Sequence, residues 1–304
     1  MNWESIAVFR HLTMRVAIHG LSLKAEFLPI LWGLFEKLES LGISVCLTPS
    51  LDQQLRALSS VVPTYGILNH PDDFDGLDFF LSIGGDGTLL DSVCVVGKKE
   101  IPILGLNTGR LGFLATVATD KIEDAIDQLA KGNYQIESRS LLSLSSSKKL
   151  FHGTNFALNE FTIHKKDTSS MITVHTYIDG KYLNSYWADG LIVATPTGST
   201  GYSLSCGGPL ITPGAKNFVI TPVSPHNLNV RPIIVSDEAE ISFEIEGRTD
   251  KFMISLDSRS TSIASEVKLS VKKESFSAKL VKLPTYHYFD TLRQKLNWGL
   301  DMRN

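Results

Sequence analysis

One stretch limits the fold more than any other. Phe79-Phe80-Leu81-Ser82-Ile83 is a short apolar run that stops at Gly84-Gly85-Asp86-Gly87-Thr88. It reads as a buried strand whose carboxyl end opens directly into a glycine-rich loop. In open α/β sheets that end of a strand is where ligands bind. The surrounding pattern agrees. Arg15–His19 reads as a strand, Phe27–Leu41 as a helix with Leu28, Leu31, Leu34, Phe35 and Leu38 on one face, and Val45–Leu47 as the next strand. Ile101–Leu106 is a further strand, and Asp120–Lys131 a helix with Ile122, Ala125, Ile126 and Leu129 inward. Alternating strands and helices imply a parallel sheet with right-handed crossovers.

After about residue 135 the pattern changes. Leu141–Leu144, Phe161–His164, Ile172–Ile178, Gly190–Ala194, Phe218–Pro222, Ile233–Val235, Ile241–Ile245, Met253–Leu256 and Val267–Val271 read as strands, many separated by turn residues. The expected organisation is an α/β domain with a parallel sheet over 1–135, which carries the glycine-aspartate loop. A β-rich domain over 136–283 follows, and then a C-terminal helix over 284–304 that packs back on the first domain. Residues 1–13 read as a leader or a misassigned start ahead of the natural opening strand. In the tail, Tyr286–Trp298 is expected to be helical, with Phe289, Leu292 and Leu296 on one face and Gly299 as its stop.

Composition narrows the partners. A net charge of −3 gives no global nucleic-acid footprint. Cys46, Cys94 and Cys206 lie far apart without a CxxC, which indicates neither zinc nor a disulfide framework and fits a reducing cytoplasm. The eight histidines form no HxxxH. No apolar run is long enough to span a membrane. GxxxxGK[ST], a GxGxxG after the first strand, and GxSxG are all missing, which argues against Walker NTPases, ordinary Rossmann dehydrogenases and common hydrolases.

Three segments carry chemistry. In Gly84–Thr88 the glycines let a phosphate chain approach backbone N–H donors. A carboxylate repels phosphate, so Asp86 is out of place in a mere cradle. It makes sense as the acceptor of a proton from an attacking hydroxyl, or as a group placing a metal; the plain alternative is a tight turn with a solvated aspartate. Asn107-Thr108-Gly109-Arg110-Leu111-Gly112-Phe113-Leu114 is a second close-approach loop at the same sheet edge; Phe113 packs on a base or fills the core, and Arg110 meets a phosphate or water. The block Asp189–Pro209 runs from a strand into a loop dense in hydroxyls and glycine, then into a short helix near Ser199 that offers donors to a nucleotide.

Taken together and in this order, these segments resemble the NAD kinase family, along with Asn159-Glu160 and Pro225–Pro232. The resemblance runs over nearly the whole chain from Met14. It implies phosphoryl transfer from ATP, with Mg²⁺ or another divalent metal held mainly by the phosphates, to the 2′-hydroxyl of the adenosine ribose of NAD. It makes Asp86 the catalytic carboxylate. Gly87, Arg110, Phe113, Asn159, Glu160, Asp189, Thr197, Thr200, Gly201, Tyr202 and Ser205 would line the NAD path, and Gly84, Gly85 and Thr88 would meet the ATP phosphates. It further implies a homodimer or homotetramer in the cytoplasm, with neither nucleic acid nor membrane as a partner. Two positions depart from the family. Gly201 stands where many members have alanine, which is expected to loosen the loop. Asp257-Ser258-Arg259 stands where Asp-Gly-Gln is usual, so Arg259 faces either a phosphate or water. Two other readings remain: a diacylglycerol-type lipid kinase sharing only the Gly84–Thr88 loop, and a non-catalytic NAD(P)-binding regulator.

Overall fold

The computed structural model describes residues 14–109, 112–166 and 170–299. Arg110, residues 1–13 and the end of the tail fall outside them. The first half alternates as its periodicity requires: β1 (Arg15–His19), α1 (Leu28–Ser40), β2 (Ser44–Leu47), α2 (Pro49–Leu58), β3 (Gly66–Ile67), β4 (Phe79–Gly84), α3 (Asp86–Val96), β5 (Ile103–Asn107), β6 (Val117–Ala118) and α4 (Ile122–Ala130). Leu31, Leu34, Phe35 and Leu38 of α1 are buried, as are Ile122, Ala125, Ile126 and Leu129 of α4. Both helices cover one face of the sheet, with Ile18, Leu81 and Leu104 beneath them. Phe80, Leu89 and Val93 pack on the other face, where α3 lies.

The second half is almost entirely strand: β7 (Gln135–Ser146), β8 (Phe156–Ala157), β9 (Glu160–Lys165), β10 (Ile172–Ile178), β11 (Lys181–Ala188), β12 (Gly190–Ala194), the single turn α5 (Tyr202–Ser205), β13 (Asn217–Val223), β14 (Ile233–Ser236), β15 (Ile241–Glu246), β16 (Lys251–Leu256), β17 (Arg259–Ala264), β18 (Leu269–Lys282) and finally α6 (Tyr288–Leu296). Among the described residues these form two sheets. One is antiparallel throughout, in the order β14-β13-β12-β9-β16-β17. The other runs β11-β10-β15-β18-β5-β4-β1-β2-β3 and spans both halves of the chain. Its link is β18, which pairs antiparallel with β15 at one end and parallel with β5 at the other.

The parallel part has the order β3-β2-β1-β4-β5, so the connections leave β1 and β4 in opposite directions. That reversal opens a crevice at the carboxyl ends of β1 and β4. The glycine-aspartate loop lies there.

The tail needs two corrections. The helix docks through Thr291 and Leu292, while Phe289 is half exposed, because Tyr288 rather than Phe289 turns inward and gives its hydroxyl to the Ile211 carbonyl at 3.3 Å. Its stop is Asn297, which takes the left-handed conformation at φ 55°; Gly299 comes two residues later. Between this helix and β6 and α4 lies a cavity of about 400 Å³ that Val117, Lys121, Asp124, Tyr286 and Thr291 help to line.

Candidate active site

The site begins where β4 ends. Gly84 has φ 153°, and a side chain there would overlap Thr88, which is buried under the loop. Gly85 and Gly87 are different: both are exposed, and a Cβ on either would enter open space. Nothing in the chain's own packing requires those two to be glycine. Their smallness leaves backbone accessible at the N-terminus of α3, where the first N–H groups lack helical partners and the dipole favours anions.

Asp86 opens α3 with its carboxylate turned to the second glycine loop. Oδ2 accepts the N–H of Phe113 at 2.8 Å; Oδ1 accepts those of Leu114 at 3.0 Å and Ala115 at 2.9 Å. A side chain on Gly112 would overlap that carboxylate. Asn107, at the end of β5, shapes the loop: its amide nitrogen donates to the Ala115 carbonyl at 3.2 Å, and its side-chain oxygen accepts the Gly109 N–H at 2.7 Å. The second loop therefore serves the first by fixing the carboxylate, a role its sequence did not reveal. Phe113 is half-buried and belongs to none of the main apolar clusters.

Opposite lie the loops that close the antiparallel sheet. Gly198 packs on the Asn159 backbone, and Thr195 donates its N–H to the Asn159 carbonyl at 2.8 Å. Asn159 Oδ1 and Glu160 Oε2 are buried without a hydrogen-bond partner among the described residues. Burial pushes the Glu160 carboxyl up to about 8; the neighbouring Asp257 adds to this, and the Tyr202 N–H opposes it. Tyr202 is 38% exposed and stacks on His164, ring centroids 5.5 Å apart. Burial holds the His164 imidazole below its usual value. Asp189 is ion-paired to Lys165 at 2.5 Å, and Ser205 is exposed.

The hydroxyl-rich block is less open than its composition suggests. Thr195 donates to the Leu158 carbonyl, Ser199 to the Pro196 carbonyl, and Thr200 to the Thr197 carbonyl, while Ser203 pairs with Thr221. These hydroxyls stitch the loop to itself and to the segments beside it. Nor is the loop loosened at Gly201, whose N–H reaches the Gly198 carbonyl at 2.8 Å. What the missing methyl leaves is space: a Cβ there would stand 3.2 Å from Glu160 Oε2.

The roles of three residues at the site were missed. Arg139, 4% exposed on β7, donates to Thr197 Oγ1 at 3.2 Å and to Glu137 at 3.0 Å. Tyr286, in the tail, lies within electrostatic reach of both Arg139 and Asp86. Asp257, at φ 51°, accepts the N–H groups of Leu158, Asn159 and Glu160 at 2.9, 2.8 and 3.1 Å. Only tertiary contact gives these residues meaning. Arg259 is half-buried and turns its guanidinium to the chain's own backbone, at the Thr154 and Phe156 carbonyls.

Residues 39–134 match the model of the ATP-NAD kinase N-terminal domain, and residues 158–283 that of the ATP-NAD kinase C-terminal domain. An NAD kinase of Cytophaga hutchinsonii is 53% identical over 96% of this chain and all of its own length. The chain belongs to the NAD kinase family. An NAD kinase of Bacteroides fragilis is 43% identical over 95% of the chain and all of its own length. Among solved structures, an NAD kinase from Archaeoglobus fulgidus in complex with ATP superposes with a TM-score of 0.73 at 26% identity, covering 93% of this chain and 99% of that one. Yeast NADH kinase complexed with NADH gives 0.85 at 21% identity over 97% and 90%, a likeness of fold.

Proposed function

We propose that the chain transfers the γ-phosphoryl group of ATP to the adenosine 2′-hydroxyl of NAD, yielding NADP and ADP. The observation that carries this is Asp86. It stands at the start of an 11-residue helix between two glycines open to solvent, its carboxylate fixed by three backbone N–H groups. In the proposed reaction the 2′-oxygen attacks the γ-phosphorus, the bond to the ADP oxygen breaks, and Asp86 takes the hydroxyl proton. The N–H groups of the first turn of α3 bind phosphate oxygens, with Gly84, Gly85 and Thr88 shaping that turn. Asn159, Glu160, Thr197, Thr200, Gly201, Tyr202, Asp189 and Ser205 form the NAD side together with Gly87, Arg110 and Phe113.

Among the described residues no group of three His, Cys, Asp or Glu side chains is placed to hold a metal. The proposal therefore brings Mg²⁺ in on the nucleotide phosphates, where it neutralises their charge. The division into an α/β unit to residue 135 and a β-rich unit to residue 283 belongs to the same reading, as does assembly into a homodimer or homotetramer. So does a cytoplasmic setting; no helix among the described residues is long and apolar enough to cross a membrane. The deciding experiment mixes purified protein with MgATP and NAD and follows NADP by a coupled dehydrogenase. Stoichiometric NADP and ADP support the proposal. Diacylglycerol phosphorylation instead, or NAD binding with no turnover, would replace it with one of the other two readings.

A further inference from the structure

The turn that joins β16 to β17 places two opposite charges two residues apart, and both act on a single segment of backbone. Asp257 accepts the N–H groups of residues 158, 159 and 160. Arg259 works on the same segment from its other polarity. Nη1 donates to the Thr154 carbonyl at 2.6 Å and Nη2 to the Phe156 carbonyl at 2.5 Å. A guanidinium has a rigid fork of donors, so one side chain fixes two carbonyls at a set spacing. The cation also lies 6.0 Å from the centre of the Phe151 ring.

The backbone that Arg259 grips needs support. Phe151 and His152 hold φ of 49° and 51°, and Gly153 follows at 91°. Side-chain-bearing residues keep that conformation only where their surroundings over-determine it. Arg259 supplies contacts on both sides of the strained turn: the Phe151 ring before it, the Thr154 and Phe156 carbonyls after it. Three residues further on are Asn159 and Glu160, with their unpartnered buried acceptor atoms. The turn also reaches α3, since Arg259 and Asp257 both act electrostatically on Cys94 of that helix.

We propose that Arg259 is a positioning residue for the NAD side of the site: with Asp257 it clamps residues 154–160, so that Asn159 and Glu160 are presented in one fixed arrangement. This rests on the functional reading above. The clamp acts on the acceptor loop rather than on the Gly84–Thr88 loop, so its loss is selective. Arginine suits the role because its fork holds two carbonyls at once. Lysine keeps the charge but offers a single ammonium at one point.

The test compares the full-length protein with Arg259→Ala and Arg259→Lys by hydrogen exchange and by kinetics. Backbone amides of residues 158–160 in the alanine variant should exchange about tenfold faster, with those of β1 and β4 unchanged. KM for NAD should rise by about fivefold or more, KM for MgATP and kcat should stay within about twofold, and lysine should restore only part of the loss. Unchanged exchange at 158–160, or KM values for both substrates that move together, would overturn the clamp. A wild-type protein that forms no NADP would sink the functional reading instead, leaving the exchange comparison to decide the clamp alone.

Discussion

The two sides of the crevice handle polar groups in opposite ways. On the phosphate side the key carboxylate is held fast: three N–H groups from one loop meet Asp86, only one of them on Oδ2, and Gly112 is small because the carboxylate passes over it. On the NAD side the backbone is equally well tied, by Asp257 and Thr195, yet the acceptors Asn159 Oδ1 and Glu160 Oε2 are buried without hydrogen-bond partners among the described residues. An unpaired buried acceptor costs roughly 1–3 kcal/mol, so a fold keeps two together only where something else supplies the donors. The lesson is a division of labour. The first side is preorganised for a reaction, and the second is preorganised for recognition. Substitutions on the first should therefore appear in kcat and those on the second in binding.

The largest effect expected is at Asp86. Asp86→Asn should lower kcat by about 10²-fold or more while NAD binding changes little, because the proton acceptor is lost and the recognition side is untouched. The variant should also melt earlier, since an amide nitrogen cannot accept the N–H that Phe113 now gives to Oδ2. Near-normal turnover would end the base assignment. Gly112→Ala is the sharper partner experiment. It keeps the carboxylate but drives a methyl into it. A kcat loss of about tenfold or more with an unchanged KM for NAD would show that aim, and not only chemistry, matters. If Gly112→Ala behaves as wild type, the fixed carboxylate is not what sets the rate.

On the recognition side Tyr202 is the most exposed aromatic group, stacked on His164 and open on its other flank. Tyr202→Ala should raise KM for NAD by about three- to tenfold, with a smaller change for ATP, as expected when a stacking surface worth about 1 kcal/mol is removed. Steady-state kinetics with each substrate varied in turn checks this. Equal changes in both KM values would make Tyr202 a structural prop and erase the contrast between the two sides.

Much of this architecture can be read from residue order alone, because it depends on periodicity. The inward faces of α1 and α4 follow from spacings of three and four, and β4 from an apolar run cut off by glycine. The unread parts share a different cause. The helix α3 begins inside the glycine loop and has no clear polar stripe, being buried at Thr88, Leu89, Ser92, Val93 and Val96. The strand β18 runs on to Lys282 because it serves the antiparallel and the parallel part of one sheet in succession, pairing first with β15 and then with β5. At the site, Asp86 was visible from its setting between glycines. Asp257 and Arg139 were not, because their partners are 97–99 and 58 residues away. Local composition misled most in the block after β12, where a run of hydroxyls suggested ligand donors and several of them bond instead to protein groups in their own loop or in neighbouring segments.

The smallest effect expected concerns the proton on Glu160, and it tests whether the recognition side carries the strain assigned to it. The ordinary value for this carboxyl is 4.5, and in the folded protein burial moves it to about 8. Between those limits the folded chain holds a proton that the unfolded chain has released. Stability must then fall as pH rises through that window, the reverse of the usual carboxylate behaviour. Glu160→Gln keeps the shape and removes the titration. Its melting temperature should match that of the wild type near pH 4.5 and exceed it by pH 8, by on the order of a few degrees in a chain of this size. Asp257, also raised by burial, remains in the variant and leaves a residual slope of the same sign, so the difference between the two profiles is the quantity to read. Saturating NAD should shrink that difference if Glu160 meets the dinucleotide, because a bound donor stabilises the ionised carboxylate. Parallel profiles for the two proteins would mean that Glu160 ionises as freely as an exposed glutamate, and the NAD side would then carry no buried acid for a ligand to relieve.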